Sequence, residues 1–290
     1  MLLHKIKEAT ENLGEKSAII VAHPDDEVLW FSSILEKVDD VVLVYNDYAP
    51  LAELGAGRKE ALKHHPCRSL IQLAIDEPVS FNKAMWSNPS LTKYGIQFQS
   101  SEDEGSYQKA FGEVVEALQV YLNEYRPTTI FTHNPWGEYG HEDHVQVYRA
   151  LRMLQGSFGF KLWVSCYAHN KTKILMRREI KKLANVALVG QPNEALYEQV
   201  KEIYQATNVW TWNDSYTLPK KEFFFAVDDT LPDSEERSGL FGYIALIKSI
   251  YVLELDWPYT DNFKWKDLGL ILKKRIKKYI KKILRIAKLR

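Results

Sequence analysis

A short apolar run that ends in a histidine and three carboxylates is the feature that most constrains this chain. Residues 18–22 read Ala-Ile-Ile-Val-Ala, and His23, Pro24 and the acids 25–27 follow directly. Because the run is too short for a typical helix and rich in β-branched residues, it predicts a buried parallel strand. Ligands of open α/β sheets bind beyond the carboxyl ends of the strands, so this cluster lies where chemistry is expected. An Asp-Asp pair after a strand is also a common helix N-cap, and this motif alone does not separate capping from metal binding.

A second strand-like run leads into another cluster of this kind. Residues 129–132 read Thr-Ile-Phe-Thr and precede the segment 133–144, which contains His141 and His144. If a helix begins here, these histidines lie three residues apart on neighbouring positions of one face. A lone His-x-x-His is often only a pair of surface histidines. Together with the first cluster at another strand end, it indicates a zinc site built from both segments.

The two segments resemble the signature motifs of the LmbE-like or PIG-L-type zinc deacetylases, which remove acetyl groups from N-acetylglucosamine and related amino sugars. Positions 22–27 match the family's Ala-His-Pro-Asp-Asp-Glu motif. Positions 132–144 match its Thr-His-x-Pro-x-Gly-x-Tyr-Gly-His-x-Asp-His motif. The family often has proline where this chain has Glu142, a difference that we expect to alter loop stiffness more than ligand chemistry.

The resemblance implies a distinct role for each of five motif residues. His23, Asp26 and His144 would hold the metal. Asp25 would act as the general base and His141 would stabilise the oxyanion. Three nitrogen and oxygen ligands leave an open position on tetrahedral zinc, which is typical of a catalytic site. Zinc is therefore the expected cofactor, although the same ligands also accept ferrous iron.

Four further residues are weaker candidates. Tyr139 corresponds to a mobile family tyrosine that assists at the oxyanion; the alternative is a loop tyrosine that packs on Trp136. Asp143 could pair with either motif histidine and fix its orientation. Arg58 resembles the family arginine that reaches a substrate oxygen, or it is an ordinary exposed helical arginine. Asp47, at a third strand end, could contact a sugar hydroxyl.

The predicted elements alternate between strand and helix. This order indicates a Rossmann-like α/β fold whose mostly parallel sheet has helices on both faces and an active site at the C-terminal strand ends. The polar, turn-prone stretch 82–105 is expected to form an excursion over the active-site face that could select the substrate. The expected helices cover residues 2–14, 26–37, 56–76, 107–125 and 194–207, and the expected strands cover 18–22, 41–45, 129–132 and 162–168.

Charge is distributed unevenly although the formal net charge is zero. Residues 264–290 carry 12 Lys or Arg and one acid, with apolar residues at helical spacing, which is typical of an interfacial helix. We therefore predict a deacetylase domain over residues 1–263 and a basic amphipathic helix over 264–290. Residues 268–290 of this helix are expected to contact an anionic membrane surface. Docking on the acidic body is the alternative, and nucleic acid is not an expected partner.

Composition and cysteine content agree with an intracellular enzyme. The 290 residues are 46% apolar, which is enough for one sizeable core. Two cysteines are too few for a disulfide framework, and the beginning of the chain has no secretory apolar segment. We expect a cytoplasmic location, with peripheral attachment to the inner face of the membrane; the oligomeric state is left open.

These observations predict a metal-dependent hydrolase that removes the N-acetyl group from an N-acetylated amino sugar. The expected context is the synthesis of cell-surface polysaccharide or glycolipid. A metal-dependent esterase or phosphohydrolase is one alternative, because the same open zinc site can activate water against other electrophiles. A non-catalytic glycan- or lipid-binding protein on the same scaffold is the other.

Overall fold

A computed structural model describes residues 5–213, 216–227 and 252–255, with only the backbone for Lys5 and Asn185. The described residues all belong to a compact unit that extends to Leu255. The predicted domain boundary at residue 263 and the basic segment 264–290 lie outside the described residues and stay predictions. The strands are β1 (Lys5–Glu8), β2 (Ser17–Val21), β3 (Asp40–Asp47), β4 (Leu70–Asp76), β5 (Leu91–Thr92), β6 (Gly95–Ile96), β7 (Thr129–Thr132), β8 (Lys161–Ser165), β9 (Tyr167–Ala168), β10 (Leu183–Gly190), β11 (Glu222–Val227) and β12 (Leu253–Glu254). The helices are α1 (Asp26–Phe31), α2 (Ala52–Leu62), α3 (Ser101–Tyr125), α4 (Glu142–Phe158), α5 (Lys173–Glu179) and α6 (Glu194–Ala206).

Eight strands form the main sheet in the order β1-β10-β11-β8-β7-β2-β3-β4. Every neighbouring pair is parallel except the two that involve β11, which runs antiparallel to both β10 and β8. Parallel strands need crossover connections, and helices supply them between β2 and β3 and between β3 and β4. This arrangement confirms the predicted mostly parallel α/β fold.

The central strands are buried on both faces, as their continuous apolar sequences predict. Ile20 and Val42 join one cluster that also contains Leu118 of α3 and Leu151 of α4. On another part of the sheet, the ring of Phe31 at the end of α1 stacks on Phe224 of β11, with centroids 5.7 Å apart. Apolar side chains from several helices thus pack against the sheet strands.

Two predicted helices are wrong in the described part of the chain. Within 2–14, residues Lys5–Glu8 form an edge strand that pairs with β10, a partner far along the sequence that no local pattern indicates. Within 56–76, helix α2 ends at Leu62 and residues Leu70–Asp76 form β4. Pro66 lies between the two and cannot continue a helix, which explains the break.

The active-site edge of the sheet is defined by four adjacent parallel strands, β7, β2, β3 and β4. Their carboxyl ends lie at one edge because the strands are parallel. The residues at these ends are His133, His23, Asp47 and Glu77. Among the helices of the described ranges, none has the length and apolar content needed to cross a bilayer.

Candidate metal and active site

The loop after β2 holds the first motif in a strained backbone conformation. Asp25 has a φ of 105°, in the left-handed region that non-glycine residues rarely occupy, and helix α1 begins at the next residue. The Glu27 carboxylate accepts the backbone N–H of Asp25 (2.9 Å) and the hydroxyl of Tyr204 (2.9 Å). Strain of this kind is common at functional sites, where surrounding contacts maintain it.

The three predicted metal ligands lie together. One oxygen of the Asp26 carboxylate is 3.3 Å from His23 Nδ1, and the other is 3.2 Å from His144 Nε2. All three side chains are buried. Neighbouring ligand atoms on tetrahedral zinc are about 3.3 Å apart if each bond is about 2.0 Å, and each of these two separations agrees with that value, although they involve different oxygens of Asp26. His144 Nε2 is buried without a hydrogen-bond partner, as expected of an atom that faces a cation.

Glu138 orients His144 and was not a candidate from the sequence. Its Oε2 lies 2.8 Å from His144 Nδ1. Because an ionised carboxylate only accepts, Nδ1 carries the proton and Nε2 keeps its lone pair for a metal. Glu138 also accepts hydrogen bonds from the Ser165 hydroxyl and from the backbone N–H of Asn134. It occupies an unspecified position of the second motif, and its one sequence signal is an acid inside an otherwise matching loop.

Among the described residues, one group of potential ligands joins His23, His141 and His144, and another joins His133 with Asp26 and His144. The Nε2 of His133, however, accepts the backbone N–H of Ala22 (2.9 Å), and its Nδ1 lies 3.2 Å from Glu138. Because protein groups occupy both ring nitrogens, we assign His133 a packing role and not a role as a metal ligand. Its ring stacks on that of His144 at a centroid distance of 3.8 Å.

Several buried carboxylates surround the imidazole of His23. Burial alone would lower the pKa of His23, but Glu77, Asp143 and Asp26 outweigh it and raise that pKa to about 10. Burial, together with the negative charges of Asp26 and its neighbour Glu27, raises the pKa of Asp25 well above its usual range. A site with this excess of buried negative charge favours a bound cation.

His141 caps the N-terminus of α4 and keeps one ring nitrogen for other contacts. Its Nδ1 accepts the backbone N–H of Asp143 (3.2 Å), so the proton of a neutral ring resides on Nε2. Burial holds the pKa of His141 well below its usual value, and His23 and His144 add to this effect. A neutral imidazole with Nε2–H can still donate a hydrogen bond to an oxyanion.

Asp143 pairs with the histidine of the first motif. Its Oδ2 lies 3.3 Å from His23 Nε2, and its Oδ1 accepts the hydroxyl of Ser80 (2.5 Å). A proton on His23 Nε2 leaves Nδ1 facing Asp26, as a metal ligand requires. Asp143 therefore orients His23 in the way that Glu138 orients His144.

Arg58 and Asp47, the predicted substrate contacts, occupy different environments. Arg58 is buried, and its Nη1 is 2.9 Å from the Glu77 carboxylate, whose other oxygen is 3.7 Å from His23 Nε2. The alternative of an exposed helical arginine is therefore wrong. Asp47 accepts a hydrogen bond from Lys59 (2.7 Å) in a largely exposed pair and is not part of the described ligand groups.

Tyr139 lies beside the two histidines of the second motif. Its ring centroid is 5.3 Å from that of His144 and 5.8 Å from that of His141. It also packs against Trp212, with centroids 4.9 Å apart. Trp136, the partner in the alternative interpretation, donates its indole N–H to the Tyr167 carbonyl (2.6 Å). The position of Tyr139 agrees with an oxyanion role, which stays a prediction.

The fold and this cluster define a α/β protein with a candidate metal site at the carboxyl edge of a mostly parallel sheet. Residues 18–154 match the family model described as PIG-L, GlcNAc-PI de-N-acetylase. The match contains both motifs and confirms the resemblance to this family that they carry.

Two curated relatives carry closely related names. A protein of Catenulispora acidiphila, 1D-myo-inositol 2-acetamido-2-deoxy-alpha-D-glucopyranoside deacetylase 2, is 27% identical over 157 residues, or 47% of this chain and 50% of the relative. The deacetylase of the same substrate name from Corynebacterium diphtheriae is 22% identical over 152 residues, with the same two coverages. The chain thus spans about half the length of the curated relatives it matches.

The chain is also similar to solved structures that are more distant in sequence. A deacetylase of teicoplanin biosynthesis is 15% identical, with a TM-score of 0.49 over 75% of this chain and 99% of that chain. N,N'-diacetylchitobiose deacetylase from Pyrococcus horikoshii is 14% identical, with a TM-score of 0.39 over 67% of this chain and 72% of that chain.

Proposed function

We propose that this chain is a metal-dependent hydrolase that removes the acetyl group from an N-acetylated amino-sugar conjugate. The observation that carries the proposal is the placement of the Asp26 carboxylate between His23 and His144, directly after the strained Asp25. The match of residues 18–154 to the PIG-L family model and the names of the curated relatives support the deacetylase reaction.

The donor set fits a zinc or ferrous ion. When bound by His23, Asp26 and His144, such an ion would supply an acidified water and polarise the amide carbonyl. Glu138 and Asp143 would keep the two histidines in the tautomers that present Nε2 of His144 and Nδ1 of His23.

Proton transfer is assigned to Asp25. Its Oδ2 accepts the Thr211 hydroxyl (2.9 Å), which fixes the carboxylate. Asp25 takes a proton from the attacking water and returns it to the nitrogen as the C–N bond breaks, so that acetate and a free amine leave.

Oxyanion stabilisation is assigned to His141 and Tyr139. His141 presents Nε2–H while the backbone N–H of Asp143 occupies its other ring nitrogen. Both side chains lie next to His144, so they can donate to a negative oxygen that develops near the metal ligands.

The wider role rests on the sequence. We propose that the reaction belongs to the synthesis of cell-surface polysaccharide or glycolipid in the cytoplasm, and that segment 268–290 contacts anionic lipid. Ten basic residues in that segment support the lipid contact, since each contributes about 1 kcal/mol near an anionic surface.

Product analysis on a panel of substrates tests the reaction. We expect purified protein supplied with zinc or ferrous iron to release acetate and primary amine in equal amounts from an N-acetylglucosaminide, with no phosphate from phosphorylated sugars. Release of phosphate, or cleavage of O-acetyl esters alone, would replace this proposal with the esterase or phosphohydrolase alternative.

A further inference from the structure

The segment of residues 80–86 is fastened to the second motif by the carboxylate of Glu142. One carboxylate oxygen accepts the backbone N–H of Ala84 (3.0 Å) and the indole N–H of Trp86 (2.9 Å). The other accepts the backbone N–H of Asn82 (3.2 Å). Glu142 is fully buried, so these three N–H groups supply the hydrogen bonds that water would make to an exposed carboxylate.

The 80–86 segment places two consecutive side chains on residues of the proposed active site. The ring of Phe81 stacks on that of His141, with centroids 4.8 Å apart and an interplanar angle of 23°. The hydroxyl of Ser80 donates to Asp143, which in turn faces His23. A change in the position of this segment would therefore reach a proposed catalytic histidine and a proposed metal ligand.

A second fastening comes from Lys171. Its ammonium group donates to the Asn82 side chain (2.7 Å) and to the Gly140 carbonyl (2.7 Å), and thus links the segment to the motif loop. The same ammonium lies 5.2 Å from the ring centroid of Phe81 and 5.0 Å from that of Trp86. Two opposite charges, Glu142 and Lys171, thus contact the same segment, and both form a hydrogen bond with Asn82.

The helix itself does not require a glutamate at this position. Glu142 is the first residue of α4, where proline is well accommodated because its missing N–H has no partner in the helix. His141, the preceding residue, has φ −94° and ψ 125°, an extended conformation that suits a residue before proline. An acid in the first turn also interacts favourably with the helix dipole, but that effect needs no contact with residues 82–86.

We propose that Glu142 is a positioning residue that holds the 80–86 segment against the second motif, so that Phe81 fixes the imidazole of His141 in its working orientation. The catalytic part of this inference rests on the proposed function. The positioning part concerns a contact within the protein and is measurable without substrate.

A set of variants at Glu142 separates the effect of its hydrogen bonds to the 80–86 segment from the effect of its negative charge. Glu142→Pro keeps a helix start and removes both carboxylate oxygens, so all three hydrogen bonds are lost. Glu142→Asp keeps the first-turn charge on a side chain one methylene shorter. Glu142→Gln can keep both bonds on one oxygen, to Ala84 and Trp86, and lose only the bond to Asn82. Glu104→Ala is the matched control, since Glu104 accepts the Phe98 N–H in the same connection.

Two readouts are independent of activity. Hydrogen exchange of the Asn82 and Ala84 amides is expected to accelerate about tenfold or more in Glu142→Pro and Glu142→Asp, with Ala84 still protected in Glu142→Gln. The ring protons of His141 should move downfield in Glu142→Pro, as in Phe81→Ala, because the ring current of Phe81 is lost. Glu104→Ala should change neither signal.

Kinetics then test the link to catalysis. We expect Glu142→Pro and Phe81→Ala each to lower kcat by about 10- to 100-fold with little change in KM, as for outer partners that orient functional histidines. The double variant should be no worse than either single variant, because both remove one coupled contact.

Unchanged exchange and unchanged His141 ring signals in Glu142→Pro would overturn the inference, whatever the enzyme does. Additive losses of kcat in the double variant would also overturn it. If the native protein deacetylates no substrate, the proposed function fails, while the exchange and ring signals still decide whether Glu142 positions Phe81.

Discussion

Replacement of Asp25 by asparagine is expected to lower kcat by about 10²- to 10⁴-fold, the usual contribution of a positioned general acid or base. Asparagine has nearly the same shape and is, with aspartate, among the residues that best tolerate the left-handed backbone conformation found here. The amide cannot take the proton from the attacking water. The variant should therefore lose activity and keep the stability of the native protein.

Steady-state kinetics, thermal unfolding and metal content of the Asp25→Asn protein check this result together. Metal content should equal that of the native protein, because Asp25 is not one of the three proposed ligands. Asp76→Asn, which alters an exposed carboxylate at the end of β4, is the matched control and should retain full activity. Activity of Asp25→Asn equal to that of the native protein would remove Asp25 as the proposed base.

Glu138→Gln is expected to weaken metal binding by about 10- to 100-fold, since partners that orient metal-bound histidines typically contribute this much. The carboxylate faces Nδ1 of both His133 and His144. These histidines outweigh burial and lower the pKa of Glu138 to about 2, so it is ionised at neutral pH. A neutral amide removes that charge and can present an N–H to His144, which favours the wrong tautomer.

Competition with a chelator of known affinity measures the metal dissociation constant of Glu138→Gln. Glu222→Gln is a matched control, because Glu222 is equally buried but binds Ser32 and Ser33 away from the site. The control should alter stability without altering metal affinity. If both variants bind metal as the native protein does, Glu138 does not determine the tautomer of His144.

The sequence predicts the fold class and the location of the site for a physical reason. Each motif follows a short apolar run, and such runs become central parallel strands whose carboxyl ends meet at one edge. This rule alone brings His23 and Asp26, after β2, close to His144, after β7. The strand over residues 129–132 is predicted with its observed bounds because Pro127 ends the preceding helix and the polar second motif follows the strand.

Residues that act through long-range contacts were not predictable in the same way. Glu77 lies near His23, and Ser80 contacts Asp143 over 63 residues of sequence, which no local pattern reports. From the sequence, Glu142 predicts only a change in loop stiffness. In the structure its carboxylate accepts hydrogen bonds from residues 56 to 60 positions earlier in the chain. The edge strand β1 was missed because its partner β10 follows it by about 180 residues.

A structure of the protein with zinc, located by anomalous scattering, tests the central claim most directly. We predict one ion, about 2.0–2.2 Å from His23 Nδ1, an Asp26 oxygen and His144 Nε2, with at least one position open to water. An ion bound elsewhere among the described carboxylates, or no ion at saturating zinc, would contradict the account.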